Sequence, residues 1–465
     1  MIHFRRLEKN TLDIKEYLKD AQKPFCDLSI GMKYMWRDVY VIEYAVVNDT
    51  LIMKETANEY ANVFYVPIGK DVLGALELIE KHCLKNNIPL VFGCVDNQTV
   101  EFLHKRYHEI EVVNERDWSD YFYLSEKFKT YSGKKLGGQR NHVNKFKKLY
   151  PDYKFKAVLE TDVDRIKEFI SEYEKSKVLS EGAKEESVLL MDYVENMFWL
   201  GQVAGYIEVD GKIIALSVGE VVGDTLIVHV EKALTRYQGA YPVMASEFAK
   251  AFAGDGVKYI NREEDCGEIG LRTSKLQYQP IEIKDKNIVK VKTLFDKINS
   301  PILIETEQLI ITDIEEKDKE DYAKLYLDDE LNKWWGYDYR EDLNGSEPTP
   351  EYFYNFQKKL KEIKEEYALA VKKDGKMIGE LVLHNFDYFG GIEIGFRFFK
   401  NYQGKGYATK SAKALKDYCF NKLKANRVKS RCFKENEPSA RLIIRLGLEK
   451  THQSSTHYFF AQEKF

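Results

Sequence analysis

Alternating apolar and polar residues mark two strand pairs that share the same turn. The first pair is YIEVDGKIIALSVGEVV (206–222), and the second is ALAVKKDGKMIGELVLHNF (368–386). A period of two is typical of strands, and Asp-Gly between two such runs is a strong hairpin signal. The pattern therefore predicts one hairpin around Asp210 and another around Asp374.

Each predicted hairpin is followed by a further strand-like run, a YQG triplet and a helix-like run. The spacing from Asp210 to Gln238 agrees within one residue with the spacing from Asp374 to Gln403. A fainter copy occupies residues 40–95. Such self-similarity is typical of a repeated supersecondary unit. We therefore expect an α/β (α+β) fold of three related units with mixed central sheets flanked by helices, and domains at 1–150, 151–300 and 301–465.

Composition excludes some classes of protein. Of the 465 residues, 44% are hydrophobic and 31% are charged, and the net charge is −4. This balance provides apolar material for several cores and no overall field that would attract nucleic acid or an anionic membrane. The six cysteines show no zinc-type spacing, and no apolar run approaches the roughly 18 residues of a spanning helix. We expect a soluble cytoplasmic protein with reduced thiols, no metal and no membrane partner.

The stretch NYQGKGYATKSAKALKDYCF (401–420) places two glycines directly before a helix-like run. The first N–H groups of a helix lack internal partners and carry its positive dipole end, so a loop without bulky side chains suits phosphate oxygens there. The GxxxxGK[ST] pattern is absent, and Thr409 stands where the dinucleotide pattern needs its third glycine. The stretch therefore predicts a phosphate loop of another kind.

The pattern Gln-x-x-Gly-x-Ala, formed by Gln403, Gly406 and Ala408, resembles the pyrophosphate loop of the GNAT acetyltransferases. Residues 303–465 resemble the ribosomal-protein-alanine type of that family, through ETEQLIITDIEEKDKEDYAKL and ENEPSARLIIRLGLEK. The resemblance implies three GNAT-like units and a C-terminal N-acetyltransferase that moves acetyl from acetyl-CoA to a primary amine in a ternary complex. It also implies the coenzyme contacts: Phe398, Phe399, Gln403, Gly404, Lys405, Gly406, Tyr407, Ala408, Thr409 and Asn436.

Amine acetylation needs a proton acceptor for the amine, a polarised thioester carbonyl and a proton for the leaving thiolate. The resemblance implies a strand bulge within residues 396–399 that frees an N–H for the carbonyl. Glu393 is the predicted base, and the alternative is a cross-strand salt bridge with proton removal through water. The resemblance implies that Ser439 lies near the sulfur of the coenzyme, and Ser439 is the predicted acid. The late helix departs from the family in carrying no tyrosine, where many members have their acid. Asn436 either reaches the coenzyme or only caps that helix.

The residues before the loop bear on the acceptor. Between Pro301 and Glu351 there are 16 acidic and 5 basic residues, which favours a cationic acceptor or forms a solvated acidic surface. Trp334, Trp335 and Tyr337 form either the floor of an acceptor pocket or part of the core. The WWG triplet also resembles a motif of aminoglycoside 6'-acetyltransferases. A peptide N-terminus, a polyamine, an amino sugar and a small metabolite all stay open as acceptors.

Residues 1–300 resemble an uncharacterised bacterial family that shares its fold with the catalytic domain of lysylphosphatidylglycerol synthases. The matching segments are FCDLSIGMKYMWRDVYVIEY (25–44), WSDYFYLSEKFKTYSGKKLGGQRNHVNKF (118–146) and YINREEDCGEIGLRTSKLQYQP (259–280). Relatives of this kind take an aminoacyl group from charged tRNA. The resemblance implies aminoacyl-tRNA-dependent transfer or a non-catalytic module that recruits the acetylation target. Lipid lysylation is disfavoured, since the membrane part of the lipid enzymes is missing.

Two charged runs of this region have more than one reading. Lys127 to Lys148 holds seven lysines and Arg140 without an acid, which predicts tRNA phosphate contact or an exposed basic helix face. The second run predicts a polar substrate site or a structural ion-pair network, and its members are Asn261, Arg262, Glu263, Glu264, Asp265, Arg272 and Lys275.

The two YQG copies differ at one position. Aligning the triplets places Tyr241 opposite Gly406, with Pro242 following. A tyrosine side chain would crowd a pyrophosphate, and proline has no N–H to donate. We therefore expect no coenzyme A in the N-terminal loop.

Overall fold

The computed structural model describes residues 2–8, 13–19, 25–57, 60–176, 181–341, 343 and 345–464. Contacts within the chain divide it into two compact units. The first unit contains Met1–His82, Leu90–Val100 and Val112–Val289, and the second contains Cys83–Pro89, Glu101–Glu111 and Lys290–Phe465. The three domains predicted from the sequence, 1–150, 151–300 and 301–465, are a separate division of the chain and stay predictions.

The strands of the described residues are, in chain order, β1 (Arg5–Arg6), β2 (Glu43–Val47), β3 (Thr50–Ala57), β4 (Tyr60–Phe64), β5 (Ile68–Gly69), β6 (Val91–Val95), β7 (Ile110–Asn114), β8 (Asp120–Leu124), β9 (Lys154–Ala157), β10 (Val203–Val209), β11 (Lys212–Val222), β12 (Thr225–Ala233), β13 (Tyr259–Asn261), β14 (Glu282–Lys284), β15 (Asn287–Val291), β16 (Leu303–Glu305), β17 (Ile310–Asp313), β18 (Glu366–Lys373), β19 (Lys376–His384), β20 (Gly391–Phe398), β21 (Arg427–Phe433), β22 (Glu449–Gln453) and β23 (His457–Glu463).

The helices of the same residues are α1 (Asp13–Lys19), α2 (Ile30–Met35), α3 (Val72–Asn86), α4 (Asn97–Arg106), α5 (Ser125–Thr130), α6 (Gly137–Leu149), α7 (Val163–Lys175), α8 (Glu181–Leu200), α9 (Ala240–Phe252), α10 (Ile269–Gln277), α11 (Lys319–Tyr326), α12 (Asp329–Trp335), α13 (Pro350–Glu362), α14 (Tyr407–Asn421) and α15 (Glu437–Arg445).

These strands form three mixed sheets within the described residues. The first has the order β1-β2-β3-β4-β6-β15-β7 with β5 beside β3, and the second has the order β14-β8-β13-β12-β11-β10-β9. The third has the order β16-β17-β18-β19-β20-β21-β23-β22. Each sheet contains a parallel pair as well as antiparallel ones, and these parallel pairs are β4–β6, β12–β13 and β20–β21. The predicted fold class, mixed central sheets flanked by helices, is confirmed.

The predicted hairpins are present, and each turns on residues with left-handed backbone. The turns are Asp210–Gly211 between β10 and β11, and Asp374–Gly375 between β18 and β19. The fainter copy has the same feature at Asn48–Asp49, between β2 and β3. Positive φ at both central residues is what the right-handed twist of a two-residue hairpin requires.

The third sheet is covered on both faces. On one face, Ile392, Ile394 and Phe398 of β20 pack with a core that includes Leu415 and Cys419 of α14. On the other face, residues of β18 and β19 pack with a second core built around α11 and α13. The catalytic candidate Glu393 of β20 therefore extends from a sheet that is fixed from both sides.

A search of the described helices for a segment both long and apolar enough to cross a membrane finds none.

Candidate active site

A pair of parallel strands separates at the centre of the third sheet. β20 and β21 are in register only until Glu393↔Lys429. Just past this pair, Ser430 Oγ donates a hydrogen bond to the carbonyl of Ile394 at 2.9 Å, and β21 continues in register with β23. The parting strands open a cleft of about 1120 Å³.

The cleft brings together most residues that the sequence analysis proposes for the C-terminal unit. Its wall includes Trp334, Trp335, Tyr337, Glu393, Phe398, Gln403, Gly404, Gly406, Tyr407, Ala408, Thr409, Asn436 and Ser439. Two further candidates, Phe399 and Lys405, are not part of this wall, although both belong to the described residues.

The prediction of a strand bulge within residues 396–399 is wrong. β19 and β20 keep an unbroken antiparallel register along residues 379–384 and 393–398. The separation of β20 from β21 frees the backbone instead. Because backbone groups alternate in direction along a strand, the N–H groups of Phe396 and Phe398 point to the same side as the carbonyl of Ile394, which faces β21.

The glycine loop leads directly into α14. Gly406 is its N-cap residue, with φ +80°, and Gly404 has φ +72°. The first helical hydrogen bond runs from the Lys410 N–H to the Gly406 carbonyl at 3.0 Å, so the N–H groups of residues 407–409 have no partner inside the helix. A Cβ at either glycine would meet open space. The loop therefore leaves room for a ligand at the positive end of the helix.

Side chains around the loop hold it to the strand and add positive charge. Gln403 Nε2 donates to the Phe398 carbonyl at 2.9 Å. Lys405 is exposed, and exposed Lys410 donates to Gln308 Oε1 at 3.1 Å. An anionic group at this end of the cleft would meet the Lys410 ammonium as well as the helix dipole.

The late helix, α15, supplies the opposite wall. The side-chain oxygen of Asn436 accepts the Ser439 N–H at 3.2 Å, which caps the helix. Pro438 lies in the first turn, and Gly447 after the helix has φ +86°. The capping function expected of Asn436 is present, and both Asn436 and Ser439 also face the cleft.

Glu393 lies where the strands part and is almost fully buried, at 8% exposure. Its Oε2 accepts a hydrogen bond from Asn385 Nδ2 at 3.0 Å, and its Oε1 lies 3.3 Å from Arg431 Nε. The cross-strand ion pair that the sequence left as an alternative is therefore present. Together with the hydrogen bond from Asn385, this ion pair engages both oxygens of the predicted base.

Sequence reasoning missed His384, which stands directly opposite Glu393 at the end of β19. Its Nε2 lies 3.8 Å from Glu393 Oε1, and the side chain lines the cleft. Burial lowers the pKa of His384, an effect that Glu393 opposes and that Arg431 and Lys429 strengthen. The available signal was the strand-ending position of this histidine in LVLHNF, on the face that continues to Glu393.

Aromatic side chains form the arm of the cleft beyond Gly395. A Cβ at Gly395 would lie 3.1 Å from the Trp335 ring, so a larger residue would require this ring to move by a few tenths of an ångström. The Arg397 guanidinium lies 4.8 Å from the Trp335 ring and forms a buried ion pair with Glu380 at 2.8 Å. Tyr337 stacks on Phe356, with ring centroids 6.2 Å apart.

The proposed polar site of the first unit is internally paired. Arg262 forms an ion pair with Glu231 at 2.8 Å, and Arg272 forms one with Asp265 at 2.7 Å. Lys275 Nζ donates to the backbone carbonyls of Arg262 and Glu264. These contacts agree with the structural alternative, an ion-pair network.

Asn261 and Glu263 join the same network. Asn261 Nδ2 donates to Asp120 Oδ2 at 2.7 Å, and Glu263 Oε1 lies 2.7 Å from His229 Nδ1. His229 Nε2 lies 2.9 Å from Glu220. Burial would lower the pKa of His229, but the two carboxylates outweigh it and raise that pKa to about 10. His229 is therefore a buried imidazolium.

A second buried cluster was not visible in the sequence. Cys26, Asp27, Asp120 and Glu264 offer ligand atoms within 4.8 Å of one another. The Lys286 ammonium lies 2.6 Å from Asp27, 2.9 Å from Asp120 and 3.0 Å from Glu264. A lysine thus supplies the cationic charge at the centre of these ligands. The cluster unites three separate segments, those beginning FCDLSIG, WSDYF and YINREED.

The N-cap residue after the N-terminal YQG triplet is not the one that the alignment of the two triplets predicts. The N-cap residue of α9 is Gly239, with φ +89°, so Gly239 rather than Tyr241 corresponds to Gly406. The match of the triplets was misleading because the cap position is set by the need for a positive φ. A Cβ at Gly239 would lie 2.5 Å from the His142 carbonyl of α6, so the protein itself covers this helix end.

The basic run of the first unit is mostly exposed. Lys134, Lys135, Lys145, Lys147 and Lys148 lie on the surface of α6 and the residues before it. Arg140 instead donates to the carbonyls of the preceding turn. The exposed lysines form a positive surface of the kind that contacts phosphates.

Comparison with known proteins adds two matches along the chain. Residues 20–289 match the family model "Phosphatidylglycerol lysyltransferase, C-terminal", and residues 308–449 match that of the acetyltransferase (GNAT) domain.

Individual relatives agree with these matches. An uncharacterized N-acetyltransferase of Bacillus subtilis, YnaD, is 31% identical over 131 residues, which is 26% of this chain and 76% of that protein. An uncharacterized N-acetyltransferase of Bacillus licheniformis, p20, is 26% identical over 146 residues, covering 31% of this chain and 81% of that protein. A solved structure from Bacteroides thetaiotaomicron, a conserved protein of unknown function, is 32% identical with a TM-score of 0.60. It covers 63% of this chain and 100% of its own.

Proposed function

Because the chain belongs to the phosphatidylglycerol lysyltransferase C-terminal family and also carries a GNAT acetyltransferase domain, we propose that its C-terminal unit transfers acetyl from acetyl-CoA to a primary amine. The observation that carries this proposal is the cleft between β20 and β21, which runs from the glycine loop to the aromatic arm. It provides one end for phosphates and another for an acceptor.

The walls of the cleft suit the parts of this reaction. The N–H groups that start α14 fit a pyrophosphate, and the cleft-facing N–H groups of Phe396 and Phe398 suit an extended amide chain and the carbonyl. Asn436 and Ser439 lie on the opposite wall, where Ser439 is proposed to protonate the thiolate. Glu393 is proposed to take part in removing the proton of the amine.

The acceptor is proposed to bind in the aromatic arm, against Trp334, Trp335 and Tyr337. Of these, Trp334 is 38% exposed and suited to stacking on a ligand, while Trp335 and Tyr337 also pack within a hydrophobic core. The acidic stretch before this arm favours a cationic amine.

The loop assignment can be tested with a matched pair of glycine variants. Gly406→Val places a side chain in the proposed pyrophosphate space and is expected to weaken acetyl-CoA binding at least tenfold, about 1.4 kcal/mol. Gly375→Val is the control, because Gly375 also has a positive φ (+78°) and open space around its Cβ but lies in a hairpin turn. Calorimetry on the folded full-length proteins measures both. Equal affinities in the two variants would contradict the assignment.

A second function is proposed for the first unit, aminoacyl transfer from charged tRNA. Two observations favour it: the family match over residues 20–289 and the exposed lysines of the α6 surface. Binding of tRNA that weakens steeply with salt, and that is lost when Lys145, Lys147 and Lys148 are changed to glutamate, would support this function. No binding at low salt would favour the alternative, a non-catalytic module that recruits the acetylation target.

A further inference from the structure

Three titratable side chains form a row across the third sheet. Glu366 of β18 is in register with His384 of β19, which is in register with Glu393 of β20. Directly opposite residues place their side chains on the same face, with Cβ atoms about 5 Å apart. All three line the cleft, and the row ends where β20 parts from β21. The row therefore lies where the acetyl group and the acceptor amine would meet.

Within this row, both oxygens of Glu393 have polar partners. Asn385 and Arg431 engage them, at 3.0 Å and 3.3 Å. The carboxylate also lines the cleft, where it is suited to bind an ammonium group.

The gap between His384 and Glu393 fits a nitrogen atom. The 3.8 Å between His384 Nε2 and Glu393 Oε1 exceeds a hydrogen bond, so a nitrogen beside them can lie within hydrogen-bond distance of both atoms at once. At Gly395, the next residue of β20 on this face, a Cβ would lie 3.1 Å from the Trp335 ring and 3.8 Å from His384 Nε2, so the Trp335 ring borders the pair on this side.

The groups around His384 keep its ring neutral. Glu393 faces it from β20, Arg431 and Lys429 face it from β21, and burial lowers its pKa below the usual 6.5 despite the carboxylate. Glu366 faces it from β18, and burial together with Glu380 raises the pKa of Glu366 to about 8. At neutral pH the imidazole can therefore accept a proton.

We propose that His384 is the residue that takes the proton from the acceptor ammonium, with Glu393 holding that ammonium beside it; this inference rests on the proposed acetyl transfer. One proton moves from the ammonium nitrogen to His384 Nε2, and later to solvent. The nitrogen lone pair forms the C–N bond with the acetyl carbon, and the C–S bond breaks with its electron pair leaving on sulfur. The second proton lost by nitrogen ends on that sulfur.

The first test measures turnover in the full-length protein. Thiol release from acetyl-CoA is followed with spermidine, an aminoglycoside, an amino acid amide and an alanine peptide as acceptors. With the best of these, His384→Ala is expected to lower kcat about a hundredfold or more and to regain turnover when imidazole is added. Glu393→Gln is expected to act mainly on KM for the acceptor and to gain nothing from imidazole. His452→Ala, at an exposed histidine of β22, is the control.

Acetyl-CoA affinity, measured alongside, separates the two proposals. If His384→Ala binds acetyl-CoA normally but loses turnover, both the proposed acetyl transfer and the role of His384 are supported. If His384→Ala keeps normal turnover, only the role of His384 is overturned. Failure of the wild type to bind acetyl-CoA overturns the proposed function.

A second test does not depend on the acceptor. The His384 ring signal, assigned by its loss in His384→Gln, is followed by NMR against pH. We expect a midpoint below 6.5 that falls further in Glu393→Gln, because the carboxylate opposes the lowering. A midpoint above neutral pH would overturn the proposal, since an imidazolium cannot accept the proton.

Discussion

Two parallel strand pairs in this chain begin alike and end differently. β12–β13 in the second sheet and β20–β21 in the third are each in register over three residue pairs before the strands part. In the third sheet, the parting strands leave a cleft of about 1120 Å³. In the second sheet, side chains bridge the strands past the last pair: His229 to Glu263 at 2.7 Å, and Glu231 to Arg262 at 2.8 Å.

The same backbone geometry thus borders an open cleft in one sheet and a filled core in the other. In the second sheet, the Arg262 guanidinium also lies 4.6 Å from the Tyr278 ring, and α6 covers the neighbouring helix end. Function is thus set by which side chains extend from the parting strands, not by the fold that the units share.

The largest expected effect concerns the bridging ion pair. Arg262→Ala leaves Glu231 buried without its cation, and should cost about 3–5 kcal/mol of unfolding free energy. The matched change in the cleft, Arg431→Ala, removes a side chain that is 49% exposed, and should cost less than about 1 kcal/mol. Urea unfolding of both variants measures the difference. Equal costs would mean that the second sheet is not held by this pair.

The next largest effect on stability is expected at the two N-cap glycines, Gly239 and Gly406. Gly239→Ala brings a Cβ to 2.5 Å from the His142 carbonyl, and with the positive φ it should cost about 3 kcal/mol. Gly406→Ala meets open space, so only the backbone term of about 1–2 kcal/mol applies. Thermal unfolding compares the two. A larger loss at Gly406 would contradict the view that only the N-terminal helix end is covered.

The smallest effect, counted per pH unit, appears in the pH dependence of the free energy of unfolding. The pKa of His229 is raised from 6.5 to about 10. Its contribution is therefore complete below pH 6.5 and is lost as pH rises toward 10, at about 1.4 kcal/mol per pH unit. His229→Gln should flatten this slope in urea unfolding of the first unit. An unchanged slope would show that the buried ring is not charged.

Local signals predicted much of this architecture. The Asp-Gly turns, the helix after the YQG loop, and the Asn436 cap all depend on residues close together in sequence, and all are present. The contact residues and the catalytic residues proposed for the cleft stay predictions, although most of them line the same cleft.

Features that depend on which strands are neighbours could not be predicted in the same way. His384 reaches the cleft beside Glu393 only because β19 and β20 pair in this register. Lys286 contacts acidic residues from three segments that are distant from one another in sequence. The prediction of a bulge within residues 396–399 was wrong for a related reason. The N–H groups are freed by the separation of β20 and β21 rather than by an extra residue in β20.

The stoichiometry of acetyl-CoA binding tests the contrast between the open and the filled strand pair most directly. Calorimetry on the full-length protein should find one site per chain, lost or strongly weakened in Gly406→Val and kept in Gly375→Val. Two equivalent sites, or a site unaffected by Gly406→Val, would contradict the account, because the filled strand pair of the second sheet would then also bind the coenzyme.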